Sequence, residues 1–180
     1  MASWAGLALW IFGYGSLIFR PDFPFVERRR ARAPGFVRRF FQGSPDHRGT
    51  PEDLGRVVTL VIDPSGATEG VAYRVDEPDE DAVLRALDER EQGGYVRTHL
   101  TVSFVDQAAM HSVNATTWIA HPGNPYWLGP DADHAIVERI ARARGPSGAN
   151  RDYVLRLRDA LRSEAIDDPH VEALAQRIGA

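Results

Sequence analysis

Apolar residues in the first half of the chain fall in short runs broken by turn formers, while in the last third they recur at helical spacing. Residues 7–12 form an apolar run that stops at Gly13-Tyr14-Gly15-Ser16, the pattern of a buried strand feeding a glycine-rich turn. Residues 36–42, 56–62 and 70–75 are further β-rich runs, and Asp63-Pro64-Ser65-Gly66 between the last two predicts a hairpin turn. A helix is predicted over residues 80–91, closed by Gly93-Gly94, where glycine takes the left-handed cap conformation easily. Two strands follow, at 95–105 and 113–121. From Asp131 the period becomes helical, with Ile136, Val137 and Ile140 marking one helix, Val154, Leu157 and Leu161 another, and residues 170–178 a short terminal one. Strands first and helices later, without βαβ alternation, predict an α+β fold with a mostly antiparallel sheet or barrel. Gly145-Pro146-Ser147-Gly148 is too short for a linker, so residues 1–180 are expected to form a single domain.

The helix before Gly93 carries an anomaly. Val83, Leu84 and Leu87 set its apolar stripe, and at about 100° per residue Glu91 falls about 20° from Leu84 and about 40° from Leu87. Glu91 therefore faces the core side, whereas Asp88, Glu89 and Arg90 fall off the stripe and are expected in solvent. A carboxylate near an apolar face, at the negative end of a helix, has its ionised form disfavoured and its pKa raised toward a general-base range. The competing reading is a frayed helix end with Glu91 in water.

Composition removes several chemistries. All 21 Lys+Arg residues are arginine and there is no cysteine, which excludes Schiff-base and thiol catalysis, disulfides and thiolate metal sites. The six histidines show no HxxxH or HxH spacing, and no GxSxG elbow is present. A net charge of -4 and a pI near 5.9 argue against a nucleic-acid partner. The run Arg28-Arg29-Arg30 with Arg32 reads as a solvated edge. Residues 1–12 lack a basic leader and a small-residue cleavage site, and no apolar stretch approaches about 18 residues. A monomer in the cytoplasm, without a membrane partner or a cofactor, is expected.

Two segments could bind a ligand. Phe12-Gly13-Tyr14-Gly15-Ser16-Leu17 could present successive N–H groups to a carboxylate or oxyanion, or could simply be a tight turn. Ser44-Pro45-Asp46-His47-Arg48-Gly49-Thr50 could orient a substrate carboxylate through Arg48, or Asp46 and Arg48 could pin the loop. Tyr153, on the stripe of Leu157 and Leu161, reads as core or as a ligand contact.

WIFGYGSL from Trp10, RRFFQGSPDHRGT from Arg38, GRVVTL from Gly55, LDEREQGGY from Leu87 and GPSGANRDY from Gly145 occur in an order that resembles ChaC-type, glutathione-specific γ-glutamylcyclotransferases. The resemblance covers most of the chain and implies a small β-barrel with packed helices. It also implies a catalytic glutamate at Glu91 and a γ-glutamyl site at the turn formed by Ile11, Phe12, Gly13, Tyr14, Gly15, Ser16 and Leu17. The substrate-side tyrosine corresponds to Tyr153. The implied reaction is closure of the γ-glutamyl group of glutathione to 5-oxoproline with release of Cys-Gly. A cyclotransferase for other γ-glutamyl amines or amino acids, a non-catalytic binder on the same scaffold, and a metal hydrolase using His47, His99 or His121 are the alternatives.

Overall fold

The computed structural model describes residues 8–105 and 111–179. Five strands, β1 (Trp10–Gly13), β2 (Glu27–Ser44), β3 (Gly55–Arg74), β4 (Tyr95–Phe104) and β5 (Ser112–Ala120), close into a barrel in the order β1-β3-β2-β4-β5. Its pairings are antiparallel except where β5 meets β1 in parallel, Ile11 opposite Thr116. Helix α1 (Glu80–Arg90) lies between β3 and β4, and α2 (Asp133–Arg142), α3 (Asn150–Ser163) and α4 (Pro169–Gly179) follow the barrel. The α+β barrel expected from the residue pattern is present.

All four residues of β1 are buried, as a short run without alternation requires. The run begins at Trp10 rather than Leu7, which lies outside the described residues. The larger correction concerns residues 56–74, which lie in one strand rather than in two strands of a hairpin. Asp63-Pro64-Ser65-Gly66 does turn locally, with the Asp63 carboxylate accepting from the Ser65 amide and hydroxyl at 3.0 and 2.8 Å. Pro34 nevertheless pairs with Ala67, and Phe36 with Ile62, so the turn is absorbed as a bulge opposite Gly35 (φ +80°) while β3 continues along β2. Strand β2 also starts earlier than the apolar pattern indicates and takes in the arginine run. Arg28 is held by Glu164, Arg30 by Glu69 at 2.7 Å, and the Arg29 guanidinium lies 3.9 Å from the centroid of the Phe104 ring. The run is therefore a paired strand and not a free solvated edge.

Ile136 and Ile140 of α2, Val154, Leu157 and Leu161 of α3, and Val171 and Leu174 of α4 are buried in one cluster with the barrel residues Phe12, Phe40, Leu60 and Val71. Each large side chain buried in this way contributes about 1.5–3 kcal/mol. No helix among the described residues is long and apolar enough to cross a membrane.

Candidate active site

At the end of β1 the backbone passes through Gly13 and Gly15 into a single 3-10 turn, Ser16–Ile18, closed by Ile18 N–H donating to Gly15 O at 3.0 Å. Close packing explains both glycines. A Cβ on Gly13 would lie 2.8 Å from Leu17 Cβ, and one on Gly15 2.9 Å from Val58 Cγ2 and 3.3 Å from the Tyr153 hydroxyl. The turn is anchored from both sides. The Tyr14 hydroxyl donates to Trp118 O at 2.6 Å, and Arg38 Nε donates to Tyr14 O at 2.7 Å. Arg38 is buried inside the fold, where its other nitrogens meet the carboxylate of Asp168 and the carbonyl of Glu69.

Opposite this turn, α1 ends at Glu91, whose N–H closes the last helical turn on Leu87 O at 2.9 Å. The segment after it is fixed by a fully buried amide. Gln42 Nε2 donates to Gly93 O at 2.7 Å and to Asn124 Oδ1 at 3.0 Å, and Asn124 Nδ2 donates back to Gln42 Oε1 at 3.0 Å. Gly94 has φ +91°, and a Cβ there would lie 2.5 Å from Asn124 Oδ1. The chain can thus turn sharply into β4 only with glycine at this position. This geometry sets Glu91 inward, with its side chain 19% exposed. Burial raises its pKa, Arg90 opposes the shift from 3.5 Å, and Asp46 reinforces it. Asp88 and Glu89 are exposed, as the stripe predicts. Arg90 is not. Its side chain is 17% exposed, and its nitrogens hold Ser16 Oγ at 3.0 Å and Arg20 O at 2.8 Å, tying α1 to the glycine turn.

The 44–50 loop forms a third wall. Ser44 Oγ accepts from the amides of His47 and Arg48 at 3.3 and 2.9 Å, so a hydroxyl rather than an Asp46–Arg48 pair pins the loop. A two-residue ladder, β6 (Arg144–Gly145) with β7 (Gly148–Ala149), covers it, and Ser147 N–H donates to His47 O at 2.9 Å. Directly after β7, the buried Asn150 side chain accepts from Arg56 N–H at 2.7 Å and donates to Arg56 O at 2.8 Å. It pairs with β3 as a neighbouring strand would and docks the start of α3 on the barrel. One turn later Tyr153 reaches inward, its hydroxyl accepting from Val58 N–H at 3.4 Å. Burial raises the pKa of Tyr14, Tyr95 and Tyr153, so these phenols stay protonated.

These walls enclose an outer cavity of about 100 Å³ and an inner one of about 40 Å³. Ser16, Glu91, Tyr95 and Tyr153 line both. Phe12, Tyr14, Gly15 and Leu17 line the inner cavity, which is closed by Thr117 and Trp118. Ile11 and Gly13 line neither; Ile11 has no exposed surface and belongs to the barrel core. Sequence reasoning missed Arg20, Arg90, Tyr95 and Trp118. Arg90 and Tyr95 were signalled by their place in LDEREQGGY beside Glu91. Among the described residues no group of three or more His, Asp or Glu is arranged to hold a metal ion.

A barrel that opens on a buried carboxylate, between a glycine turn and three protonated tyrosines, has the layout of a small-molecule enzyme. Residues 9–180 match the family model described as ChaC-like protein, and the chain belongs to that family. It is similar to glutathione-specific γ-glutamylcyclotransferase 1 of Homo sapiens, 41% identical over 176 residues that cover 96% of this chain and 79% of the relative. The glutathione-specific γ-glutamylcyclotransferase of Saccharomyces cerevisiae is 31% identical over 197 residues, 85% of each chain. A crystal structure of the selenomethionine-labelled, glutathione-specific cyclotransferase from yeast has the same fold, with a TM-score of 0.89, 28% identity and 96% of both chains covered.

Proposed function

We propose that this protein is a glutathione-specific γ-glutamylcyclotransferase with Glu91 as its acid/base. The observation that carries the reading is the position of Glu91: a carboxylate of raised pKa on the boundary of two cavities, in a chain of the ChaC-like family. The γ-glutamyl group sits in the inner cavity against the glycine turn, with its amide carbon at Glu91 and Cys-Gly in the outer cavity.

Glu91 as carboxylate takes a proton from the α-ammonium of the γ-glutamyl group. The freed amine attacks its own γ-carbonyl carbon, a C–N bond closes the five-membered lactam, and the C–N bond to cysteine breaks. The proton held by Glu91 passes to the departing nitrogen as that bond breaks, and the second proton, shed by the lactam nitrogen on ring closure, ends on the same nitrogen, so that Cys-Gly leaves as the ammonium. One carboxyl group thus serves as base and then as acid, and no protein nucleophile is needed. The walls contribute by folding the substrate into an attack geometry, where effective molarities become very large. Donors of the glycine turn stabilise charge that develops on the γ-carbonyl oxygen. A monomer in the cytoplasm, where thiols are kept reduced, completes the reading.

The test is incubation of the purified protein with reduced glutathione and measurement of 5-oxoproline and Cys-Gly in equal amounts. Absence of 5-oxoproline would refute the activity. An equal kcat/KM for γ-glutamyl-alanine would refute the glutathione assignment while leaving the cyclotransferase reaction in place.

A further inference from the structure

Three guanidinium groups line the outer cavity, and two of them have partners that account for their charge. Arg20 Nε donates to Asp22 at 2.6 Å. Arg90 lies 3.5 Å from Glu91 and 3.7 Å from Asp22 and holds Ser16 and Arg20 besides. Arg48 differs. It is only 7% exposed, it forms no ion pair among the described residues, and its one side-chain hydrogen bond is a long one, Nη1 to Ala149 O at 3.3 Å.

A guanidinium has five N–H donors, so most of those on Arg48 are idle. They are not walled off. The buried nitrogens that lack a partner include Nε of Arg30 and of Arg56 but none of Arg48, so the unbonded nitrogens of Arg48 keep accessible surface, and this residue lines the outer cavity. The group lies 5.9 Å from the centroid of the Tyr153 ring. Burial and the nearby Arg156 both disfavour its charge, and Asp152 offsets this only from beyond ion-pair distance. A buried cation with idle donors is costly in an empty site and matches what a planar anion requires, because the fork of a guanidinium fits a carboxylate in two places. The backbone behind it is closely packed. Cβ atoms on Gly49 or Gly145 would collide with neighbouring backbone, so the 44–50 loop presents Arg48 in one position.

The identity of the anion rests on the function proposed above. Glutathione has a carboxylate at each end. The glutamyl carboxylate shares its carbon with the attacking amine and must stay with the reacting atoms at Glu91 and the inner cavity. Arg48 lines the outer cavity alone, on the leaving-group side. We propose that Arg48 binds the glycine carboxylate of the Cys-Gly half and is the residue by which the enzyme tells glutathione from γ-glutamyl substrates that end otherwise.

The experiment compares glutathione with its C-terminal glycinamide, which differs only at that carboxylate, in the wild type and in Arg48→Gln. Wild type should favour the acid over the amide by about 10- to 100-fold in kcat/KM, mostly through KM, as the loss of a charge-assisted pair implies. In Arg48→Gln the ratio should fall toward one, and Arg48→Lys, which keeps the charge without the fork, should restore part of it. If Arg48→Gln does not fold, the Lys variant and the wild-type ratio carry the same comparison. A wild type that does not discriminate, or a variant whose ratio stays at the wild-type value, would overturn the assignment and leave the cyclotransferase reading intact. A wild type that turns over neither compound would overturn both.

Discussion

Replacing Glu91 by glutamine separates catalysis from stability. The amide keeps the size of the side chain and most of its hydrogen bonding but cannot carry the proton from the attacking ammonium to the leaving amine. Loss of a positioned acid/base lowers kcat by about 10²- to 10⁴-fold, equivalent to about 3–5 kcal/mol of transition-state stabilisation. The fold should hardly notice. The one ion pair lost is with Arg90 at 3.5 Å, and Arg90 keeps its bonds to Ser16 and Arg20. Against that small loss stands relief of a carboxylate whose charge is disfavoured by burial, which places its folded pKa above the ordinary 4.5. Such a group stabilises the fold below 4.5 and loses that contribution as the pH rises through its folded pKa. At neutral pH the Gln variant should therefore equal or exceed the wild type in urea midpoint, and its advantage should shrink as the pH is lowered. The assays are 5-oxoproline release under saturating glutathione and urea unfolding at several pH values, with Glu89→Gln on the exposed side of α1 as a control of unchanged turnover. In wild type, kcat/KM should fall on the acid side with a limb above 4.5 that reports Glu91. Wild-type turnover in Glu91→Gln, or turnover lost only together with folding, would refute the assignment.

Gln42→Leu removes the bonds to Gly93 O and Asn124, both of them half-buried, so stability should fall by about 1–3 kcal/mol. Because the turn that aims Glu91 loosens, kcat should also fall by about 10- to 100-fold; wild-type kcat in a folded variant would show that Gln42 does not position the carboxylate. His170 packs 5.7 Å from the Phe40 ring, and burial, followed by Arg39, pushes its pKa below 6.5. The unfolded chain then binds a proton that the folded one refuses, so stability should drop as the pH falls through 6.5, and His170→Phe should flatten that slope in urea titrations. Identical slopes would dismiss the group as a contributor. Activity should survive exhaustive EDTA treatment, since no metal-ligand cluster exists among the described residues; loss restored by a divalent ion would contradict this.

Residues that are neighbours along the chain made much of this protein legible. The period of Val83, Leu84 and Leu87 together with Gly93-Gly94 located α1 and turned Glu91 inward, because a helix converts spacing into direction by itself. Strand-rich and helix-rich halves separated for the same reason, and the glycine turn was marked by its composition. Tertiary structure decided the rest. Asp63-Pro64-Ser65-Gly66 satisfies local turn chemistry, yet pairing with β2 on both sides keeps β3 in one piece. Arg90 falls off the apolar stripe but is drawn in by Ser16 and Arg20, about seventy positions away. Arg38, Gln42, Arg56 and Asn150 are polar and buried, and each is held by groups from distant segments: Tyr14 and Asp168, Gly93 and Asn124, Phe40 and Gly129, and the backbone of β3. Burial of a polar side chain depends on which carbonyls and carboxylates surround it once the chain has closed. Spacing along the sequence carries no record of those partners, and so the cleft around Glu91 is visible only in the folded barrel.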